Sequence, residues 1–259
     1  MPTIAVLVKN VPDTWSTKSL EADYTLDRDN VDSILDEVNE FAVEAALQLK
    51  DNHEGYRVVA VTMGPAGADE ALRKALAMGA DDAIHVQDDA LAGSDLLGTA
   101  WALTNALNTI ADLQLIVAGN SSSDGQMGAL PGVIAEYRQV PALTQVTGVE
   151  LSADGTTVTA HRDDNHGRYT VSASVSAIVS VTDQAGKPRF PNFKGLMAAK
   201  KHQVTVYSLA DLGVAPEQVG GSHAATAVVA AQPRAERAAG EMLRGDVAVD
   251  RAIELIAEV

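Results

Sequence analysis

A run of small polar residues after the fourth predicted strand is the most telling chemical signal in the sequence. It spans residues 119–125, Gly-Asn-Ser-Ser-Ser-Asp-Gly, and a predicted helix follows it. Such residues ahead of a helix expose backbone N–H groups and hydroxyls that can surround a phosphate at the positive helix end. Asp124 is unfavourable beside a phosphate unless it faces a ribose hydroxyl or caps the helix. The alternative is an ordinary Asx- and Ser-rich turn with Asp124 as the N-cap.

A second segment, residues 187–201, concentrates positive charge just after a predicted strand. It holds five of the 19 Lys and Arg residues, together with two Phe and two Pro. Prolines restrict the unfolded loop, and an exposed Phe beside them can anchor a partner protein while the cations steer its approach. The alternative is a basic loop and first helical turn whose Phe side chains pack into the core.

Motifs for nucleotide hydrolysis, metal binding and nucleophilic catalysis are absent from the sequence. No G-x-x-x-x-G-K-[ST], G-x-G-x-x-G or G-x-S-x-G pattern occurs, which disfavours an ATPase, an ordinary NAD dehydrogenase and a hydrolase with a nucleophile elbow. The six histidines lack metal-ligand spacing, so no metal is expected. The sequence therefore predicts binding machinery without a visible acid, base or nucleophile.

The first half of the chain must position these segments. Short β-branched runs alternate there with Ala- and Leu-rich stretches, which predicts a mostly parallel, doubly wound α/β sheet. The first strand, residues 4–9, is apolar almost throughout, as expected of a strand covered on both faces. The other elements predicted in this half are helices at 37–49, 68–78, 94–110 and 127–137, and strands at 57–62, 83–86 and 113–118.

The second half changes to alternating periodicity and then to a loose arm. Strands are predicted at 146–151, 158–161, 169–174 and 177–181, with a turn at 163–167. They add antiparallel strands to the main sheet or form a small second sheet. From Gly213 onward, Gly- and Ala-rich residues form an extended C-terminal arm ending in an amphipathic helix at 249–258. We expect one α/β domain over 1–212 and a linker and arm over 213–259, whose helix either folds back or is covered by a partner subunit.

Ligands of open parallel sheets bind beyond the carboxyl ends of the strands, where the strand order reverses. This rule selects residues 9–15, 63–67 and 119–130, each of which follows a predicted strand. The binding site is therefore expected where these three segments meet.

Charge and composition narrow the classes of partner. The 259 residues include 35 acidic residues against 19 Lys and Arg, a formal net charge of −16, which disfavours nucleic acid and anionic membranes. The absence of cysteine excludes disulfides and thiolate chemistry. No apolar run is long enough for a membrane span, so we expect no membrane insertion and a cytoplasmic location.

Five segments of the sequence carry a family resemblance. They are 6–13 (VLVKNVPD), 39–46 (NEFAVEAA), Gly64-Pro65 with 75–81 (ALAMGAD), the loop 119–124 and the block 188–201. Together and in this order they resemble the beta subunit of electron transfer flavoprotein, a heterodimer that carries electrons from acyl-CoA dehydrogenases and related flavoenzymes. The resemblance spans essentially the whole chain and implies an adenine-nucleotide-binding, Rossmann-like sheet in a non-enzymatic electron carrier.

The resemblance implies AMP as a structural ligand and a redox FAD held mainly by the alpha subunit. Carried over by position, the AMP-binding residues are Leu7, Asp36, Asn39, Met63, Gly119, Asn120, Ser121, Ser122, Ser123, Asp124, Gly125, Gln126, Met127, Gly128, Ala129 and Leu130. The loop departs from many relatives, because those carry more carboxylates and an Asn-Gln-Thr run where this chain has Asn-Ser-Ser-Ser-Asp-Gly.

The resemblance also implies surfaces for other proteins. The turn Asp13, Thr14 and Trp15 faces the flavin, and the C-terminal arm wraps the alpha subunit. Residues 187–201 resemble the recognition loop that holds a dehydrogenase, with Phe193 in the place of an anchoring hydrophobe that is usually Leu. The docking residues are then Pro188, Arg189, Phe190, Phe193, Leu196, Met197 and Lys200.

The implied function is transfer of electrons from acyl-CoA and other flavin dehydrogenases toward a quinone oxidoreductase and the respiratory chain, as in fatty acid oxidation. Two alternatives stay open. One is an electron-bifurcating family member with a second FAD in place of AMP. The other is an adenine-nucleotide-dependent enzyme built on the same kind of sheet.

Overall fold

The computed structural model describes residues 1–232, 234–235, 240, 242–245 and 248–257. The chain divides into two units, Met1–Ala227 and Val228–Val259. Among the described residues, no helix is long and apolar enough to cross a lipid bilayer.

The elements of the first half follow one another as expected of βαβ units. The strands are β1 (Thr3–Leu7), β2 (Asn10–Pro12), β3 (Ser33–Leu35), β4 (Arg57–Met63), β5 (Asp82–Val86), β6 (Leu113–Gly119), β7 (Ala142–Val146), β8 (Gly148–Leu151), β9 (Thr157–Asp164), β10 (Gly167–Ser174), β11 (Ala177–Val181) and β12 (Thr205–Tyr207). The helices are α1 (Glu37–Asn52), α2 (Asp69–Met78), α3 (Leu96–Asn108), α4 (Leu130–Arg138), α5 (Phe193–Lys201) and α6 (Ala248–Ala257). The elements predicted in the first half are confirmed to within three residues at each end, whereas β2, β3 and β12 are three-residue strands that the sequence pattern did not predict.

Seven strands form one parallel sheet in the order β12-β5-β4-β1-β6-β11-β7. The central strand β1 pairs in parallel with β4 on one side and with β6 on the other. The chain builds outward from β1 through β4 and β5 and then crosses to β6. The strand order therefore reverses between β1 and β6, which is where such folds bind ligands.

Different helices cover the two faces of this sheet. Along β1, Ile4 and Val6 pack into a core cluster with α1 and α2, whereas Ala5 and Leu7 pack into a second cluster with α3 and α4. Alternate side chains of a strand point to opposite faces. This division confirms the predicted doubly wound arrangement, and every residue of β1 is buried.

The later strands differ in part from the prediction. The small second sheet exists, but it contains only β8, β9 and β10, which are antiparallel. The predicted strand at 146–151 is two strands, β7 and β8, and both β7 and β11 join the main sheet in parallel. All five residues of β11 are buried, as is typical of a parallel strand, so the expectation that it is antiparallel was wrong.

The compact unit extends beyond residue 212, where the sequence analysis placed a domain boundary. Val214 and Val219 are buried in a third apolar cluster with Leu91 and Leu209. Gly220 has a φ of +80°, and a Cβ there would lie 2.5 Å from the Ala90 carbonyl oxygen. Residues 213–227 belong to the first unit, and the close approach at position 220 requires glycine.

The second unit contains α6, which spans Ala248–Ala257 against a predicted 249–258. Residue 258 lies outside the described residues. Val249, Ile253 and Ile256 are exposed on this helix.

Candidate functional site

A large crevice opens at the carboxyl ends of β1, β4 and β6. Its volume is about 1070 Å³, which is ample for a nucleotide-sized ligand. The crevice coincides with the reversal of strand order. All three segments that the strand-end rule selected contribute to it, although the first does so only through Lys9 and Asn10.

Most of the AMP-binding residues that the resemblance assigned line this crevice. Those that line it are Leu7, Asn39, Met63, Gly119, Asn120, Ser121, Ser122, Gly125, Met127, Gly128 and Leu130. Those that do not are Asp36, Ser123, Asp124, Gln126 and Ala129. One side of the loop thus lines the crevice. The other side contacts the rest of the protein through Ser123 and Asp124.

Gly119 brings α1 and β6 into close contact at the base of the crevice. A Cβ at Gly119 would lie 2.7 Å from Asn39 Nδ2 and 2.7 Å from Val38 Cγ1. The Asn39 side chain in turn accepts a hydrogen bond of 2.8 Å from the Lys9 N–H at its Oδ1. Glycine is therefore required at the end of β6 for Asn39 to join the strand ends.

Asp124 is buried behind the loop and neutralised by two cations. Its side chain is 2% exposed, and its oxygens lie 2.7 Å from Lys9 Nζ and 2.6 Å from Arg28 Nη2. Burial acts to raise the pKa of Asp124, but the charge of Lys9 and the hydrogen bonds from Lys9 and Arg28 outweigh it and hold that pKa well below its usual range. Asp124 does not cap the following helix, because α4 begins only at Leu130.

Asp36 ties the start of α1 to the same loop. Its carboxylate accepts a 2.7 Å hydrogen bond from the Ser123 N–H and caps α1 through the Val38 N–H. Burial raises the pKa of Asp36 above its usual value, the hydrogen bonds from Ser123 and Val38 only partly offset this effect, and the nearby charge of Asp124 adds to it. Asp36 positions the loop and does not face the crevice.

The loop offers hydrogen-bond donors on the side that faces the crevice. Within the described chain, the N–H groups of Ser121, Ser122, Met127 and Gly128 donate to no backbone or side-chain acceptor. All four residues line the crevice. Unpaired N–H groups beside the start of α4 suit an anionic ligand group.

Two parts of the crevice wall were not predicted from the sequence. One follows β5 and leads into α3, contributing Leu91, Gly93, Ser94, Asp95, Leu96 and Thr99. The strand-end rule applies to β5 as well, so the signal was available. The other is the segment between β2 and β3, which contributes Arg28, Asp29, Val31 and Asp32. Arg28 had no signal in the sequence, because its contact with Asp124 spans 96 residues.

The predicted flavin-facing turn lies outside the crevice. Trp15 is 94% exposed, while the Asp13 carboxylate accepts a hydrogen bond from the Trp15 N–H at 3.0 Å. The Thr14 hydroxyl donates to Glu37 at the start of α1.

Among the described residues, no group of three or more His, Cys, Asp or Glu is placed to hold a metal ion.

The basic segment, residues 187–201, contains a full helix rather than a loop with one helical turn. Asn192 caps α5 by accepting a 2.8 Å hydrogen bond from the Gly195 N–H. A Cβ at Gly195 would lie 2.5 Å from the Ala77 carbonyl oxygen, so glycine lets α5 pack closely on α2. Arg73 of α2 donates to the carbonyls of Ala199 and His202 at the other end of α5.

Arg189 fixes the start of the basic segment to α1. It donates to the buried Glu44 carboxylate at 2.7 and 3.1 Å from its side chain and at 3.0 Å from its backbone N–H, and it also reaches Asp51 at 2.9 Å. Burial acts to raise the pKa of Glu44, but hydrogen bonds from Arg189 and Gln48 outweigh it and lower that pKa.

The aromatic side chains of the basic segment point to solvent. Phe190 is 86% and Phe193 is 78% exposed, and Leu196 and Met197 are exposed beside them. The alternative interpretation, in which the Phe side chains pack into the core, was wrong. Exposed apolar side chains on a fixed frame are typical of an interaction site.

The fold and the crevice define the class of the protein, a doubly wound α/β protein with a ligand crevice at its topological switch point. Residues 23–212 match the family of the electron transfer flavoprotein domain. The chain is 48% identical over 247 residues to the electron transfer flavoprotein subunit beta of Mycobacterium tuberculosis, covering 93% of this chain and 92% of that protein. With the same subunit of Mycobacterium leprae the identity is 46% over 248 residues, covering 94% and 92%.

A more distant relative is the caffeyl-CoA reductase-Etf complex subunit CarD of Acetobacterium woodii. It is 30% identical over 256 residues, covering 99% of this chain and 97% of that protein. The chain therefore belongs to the electron transfer flavoprotein beta subunit family, and its role is electron transfer within a flavoprotein.

Proposed function

We propose that this chain is the beta subunit of a heterodimeric electron transfer flavoprotein and holds AMP in the crevice between β1 and β6. The observation that carries the proposal is the donor-lined loop 119–130 at the reversal of strand order. Unpaired N–H groups of Ser121, Ser122, Met127 and Gly128 suit the phosphate. An apolar part of the crevice wall, formed by Leu7, Met63 and Leu130, suits the adenine ring.

The FAD, bound mainly by the alpha subunit, supplies the redox chemistry. This chain helps to position the flavin, because Asp13, Thr14 and Trp15 cover one side of it. The bound nucleotide stiffens the end of the sheet that carries these residues. The chain itself performs no catalytic step, so it is a carrier subunit and not an enzyme.

The basic segment docks the electron donors in this proposal. Phe193 is the anchor, Phe190, Leu196 and Met197 surround it, and the cations steer an acidic partner toward it. The donors are acyl-CoA dehydrogenases and other flavin dehydrogenases, and the electrons continue to a quinone oxidoreductase and the respiratory chain. This places the protein in the cytoplasm, in fatty acid oxidation.

Nucleotide analysis of the purified heterodimer tests the proposal. The chain is produced with its alpha subunit, denatured, and the released nucleotides are separated and quantified. We expect one FAD and one AMP for each heterodimer. A heterodimer that releases FAD but no further adenine nucleotide contradicts the assignment of the crevice.

A second FAD in place of AMP is the alternative, and the crevice, at about 1070 Å³, has room for it. Two flavins per heterodimer and no AMP establish this electron-bifurcating form. An adenine-nucleotide-dependent enzyme is distinguished by incubation of the heterodimer with ATP or AMP, because a carrier subunit leaves both unchanged.

A further inference from the structure

We infer that Lys9 and Arg28, held in place by Asp124, form the cationic subsite for a phosphate group of the bound nucleotide. The inference rests on the proposed function and adds two phosphate-binding residues to it. The shared chemistry is a phosphate oxygen, whether it belongs to AMP or to the pyrophosphate of a second FAD.

The charges along the crevice favour one position for an anion. Lys9 and Arg28 are the cationic residues that the described chain places along its wall. The acidic residues that line the crevice are Asp29, Asp32, Glu70 and Asp95. A phosphate is repelled by the acidic stretches, so it is most stable beside the two cations.

Lys9 contacts the loop that follows β6. Its ammonium is 3.4 Å from the Ser122 hydroxyl, and Ser122 and Gly125 line the crevice next to it. The Lys9 side chain is 42% exposed although its partner Asp124 is buried. An ammonium group donates up to three hydrogen bonds, and Lys9 uses two of them on Ser122 and Asp124, so one remains for a ligand.

Arg28 reaches the same point from the other side. Its Nη2 lies 2.6 Å from Asp124, and its side chain is 39% exposed. A guanidinium carries five N–H donors in a planar fork, which matches the geometry of phosphate oxygens. The two cations and one carboxylate leave a net charge of one positive.

Asp124 acts as a positioning residue in this arrangement. It does not line the crevice, so a bound phosphate meets the cations in front of it and not the carboxylate. The buried carboxylate holds the two cations in one place. This lowers the entropic cost of ordering their side chains when a ligand binds. This removes the conflict between an acidic residue and a phosphate in the same loop.

Binding of AMP and of adenosine to the nucleotide-depleted heterodimer separates this role from a structural one. We expect Arg28→Met and Lys9→Met each to weaken AMP binding about tenfold or more, the effect of a lost charge-assisted hydrogen bond. Adenosine, which has no phosphate, should bind each variant within about twofold of the wild type. Arg28→Lys keeps the charge but loses the planar fork, so it should weaken AMP binding less than Arg28→Met does.

Lys18→Met is the matched control, because Lys18 lies on the same segment as Arg28 but not on the crevice wall. It should leave both affinities unchanged. Unchanged AMP binding in the Lys9 and Arg28 variants overturns the inference and leaves the proposed function intact. Equal loss of AMP and adenosine binding also overturns it, since it indicates a structural role.

Nucleotide content separates this failure from failure of the proposed function. If the wild type releases no nucleotide beyond the alpha-bound FAD, the proposed function fails and the subsite fails with it. If the wild type carries two flavins and the variants retain one, the inference holds and the phosphate is that of FAD.

Discussion

At the residue scale, the Glu44 carboxylate is the group that joins the basic segment to α1. Arg189 gives it three hydrogen bonds, two from the guanidinium and one from the backbone N–H. A buried carboxylate that loses such a partner is left uncompensated, so the pair is costly to break from either side. The same helix, α1, supplies Asn39 to the crevice wall, and its N-cap residue Asp36 holds the loop that follows β6.

We expect Glu44→Gln to lower the free energy of unfolding by about 1.5 to 3 kcal/mol at neutral pH, the range for hydrogen bonds to charged groups. The fold lowers the pKa of Glu44. Its ionised form therefore stabilises the protein above the ordinary glutamate pKa of about 4.3, and this stabilisation is lost as the pH falls through the lower folded-state value. The loss of unfolding free energy in the variant should therefore be smaller in acid. Urea unfolding of both proteins at about pH 7 and about pH 3.5 measures this difference.

Glu40→Gln is the matched control on the same helix. Glu40 forms a longer, more exposed ion pair with Lys74 at 3.4 Å, and such pairs contribute little. Its unfolding free energy should stay within about 0.5 kcal/mol of the wild type. A Glu44→Gln deficit that is as large in acid as at neutral pH contradicts an ionised Glu44 as its source.

The candidate site shows what sequence spacing can and cannot predict for single residues. The loop 119–130 was predicted because small polar residues between a strand and a helix have a direct structural meaning. The ion-pair partners of Asp124 were not predicted, because Lys9 and Arg28 are 115 and 96 residues away in the sequence. Local patterns carry no information on such ion pairs.

At the element scale, α5 presents Phe193 on a rigid support. Its start is fixed by Arg189 and Asn192, and its end by Arg73.

We expect Phe193→Ala to weaken dehydrogenase docking about tenfold and slow electron transfer, because an exposed aromatic anchor contributes about 1 to 2 kcal/mol to binding. Stopped-flow measurement of flavin reduction at increasing dehydrogenase concentrations gives the docking constant.

The same variant should leave heterodimer yield and AMP content unchanged, since Phe193 lies apart from the crevice wall. Tyr169→Ala removes an exposed aromatic residue of β10 and serves as the control. Transfer kinetics that match the wild type in Phe193→Ala rule out the anchor role.

Strand direction marks the limit of prediction for whole elements. Burial of both faces was evident for β1 from its apolar run, and the structure confirms it. The run of β11, Ala-Ile-Val-Ser-Val, carried the same signal and is equally buried. It was assigned with its antiparallel neighbours because pairing with β6 depends on residues about 60 positions earlier, and periodicity reports burial rather than partners.

At the scale of the whole molecule, the described chain leaves two apolar surfaces exposed in different units. One is the basic segment, and the other is the side of α6 formed by Val249, Ile253 and Ile256. The basic segment belongs to the compact unit, whereas α6 belongs to the second unit, residues 228–259. In the proposed function, the first surface docks a transient donor and the second binds the alpha subunit.

Deletion of residues 241–259 tests the second assignment. Burial of three aliphatic side chains of α6 against the alpha subunit contributes several kcal/mol, at about 1.5 to 3 kcal/mol for each side chain. We expect the deletion to raise the dissociation constant of the heterodimer about tenfold or more, which gel filtration at decreasing concentrations measures. The deletion removes only residues of the second unit, which begins at Val228. Ile253→Asp should reproduce the loss, whereas Glu254→Ala, on the other side of α6, should not. Undiminished association after the deletion shows that the arm does not hold the two subunits together.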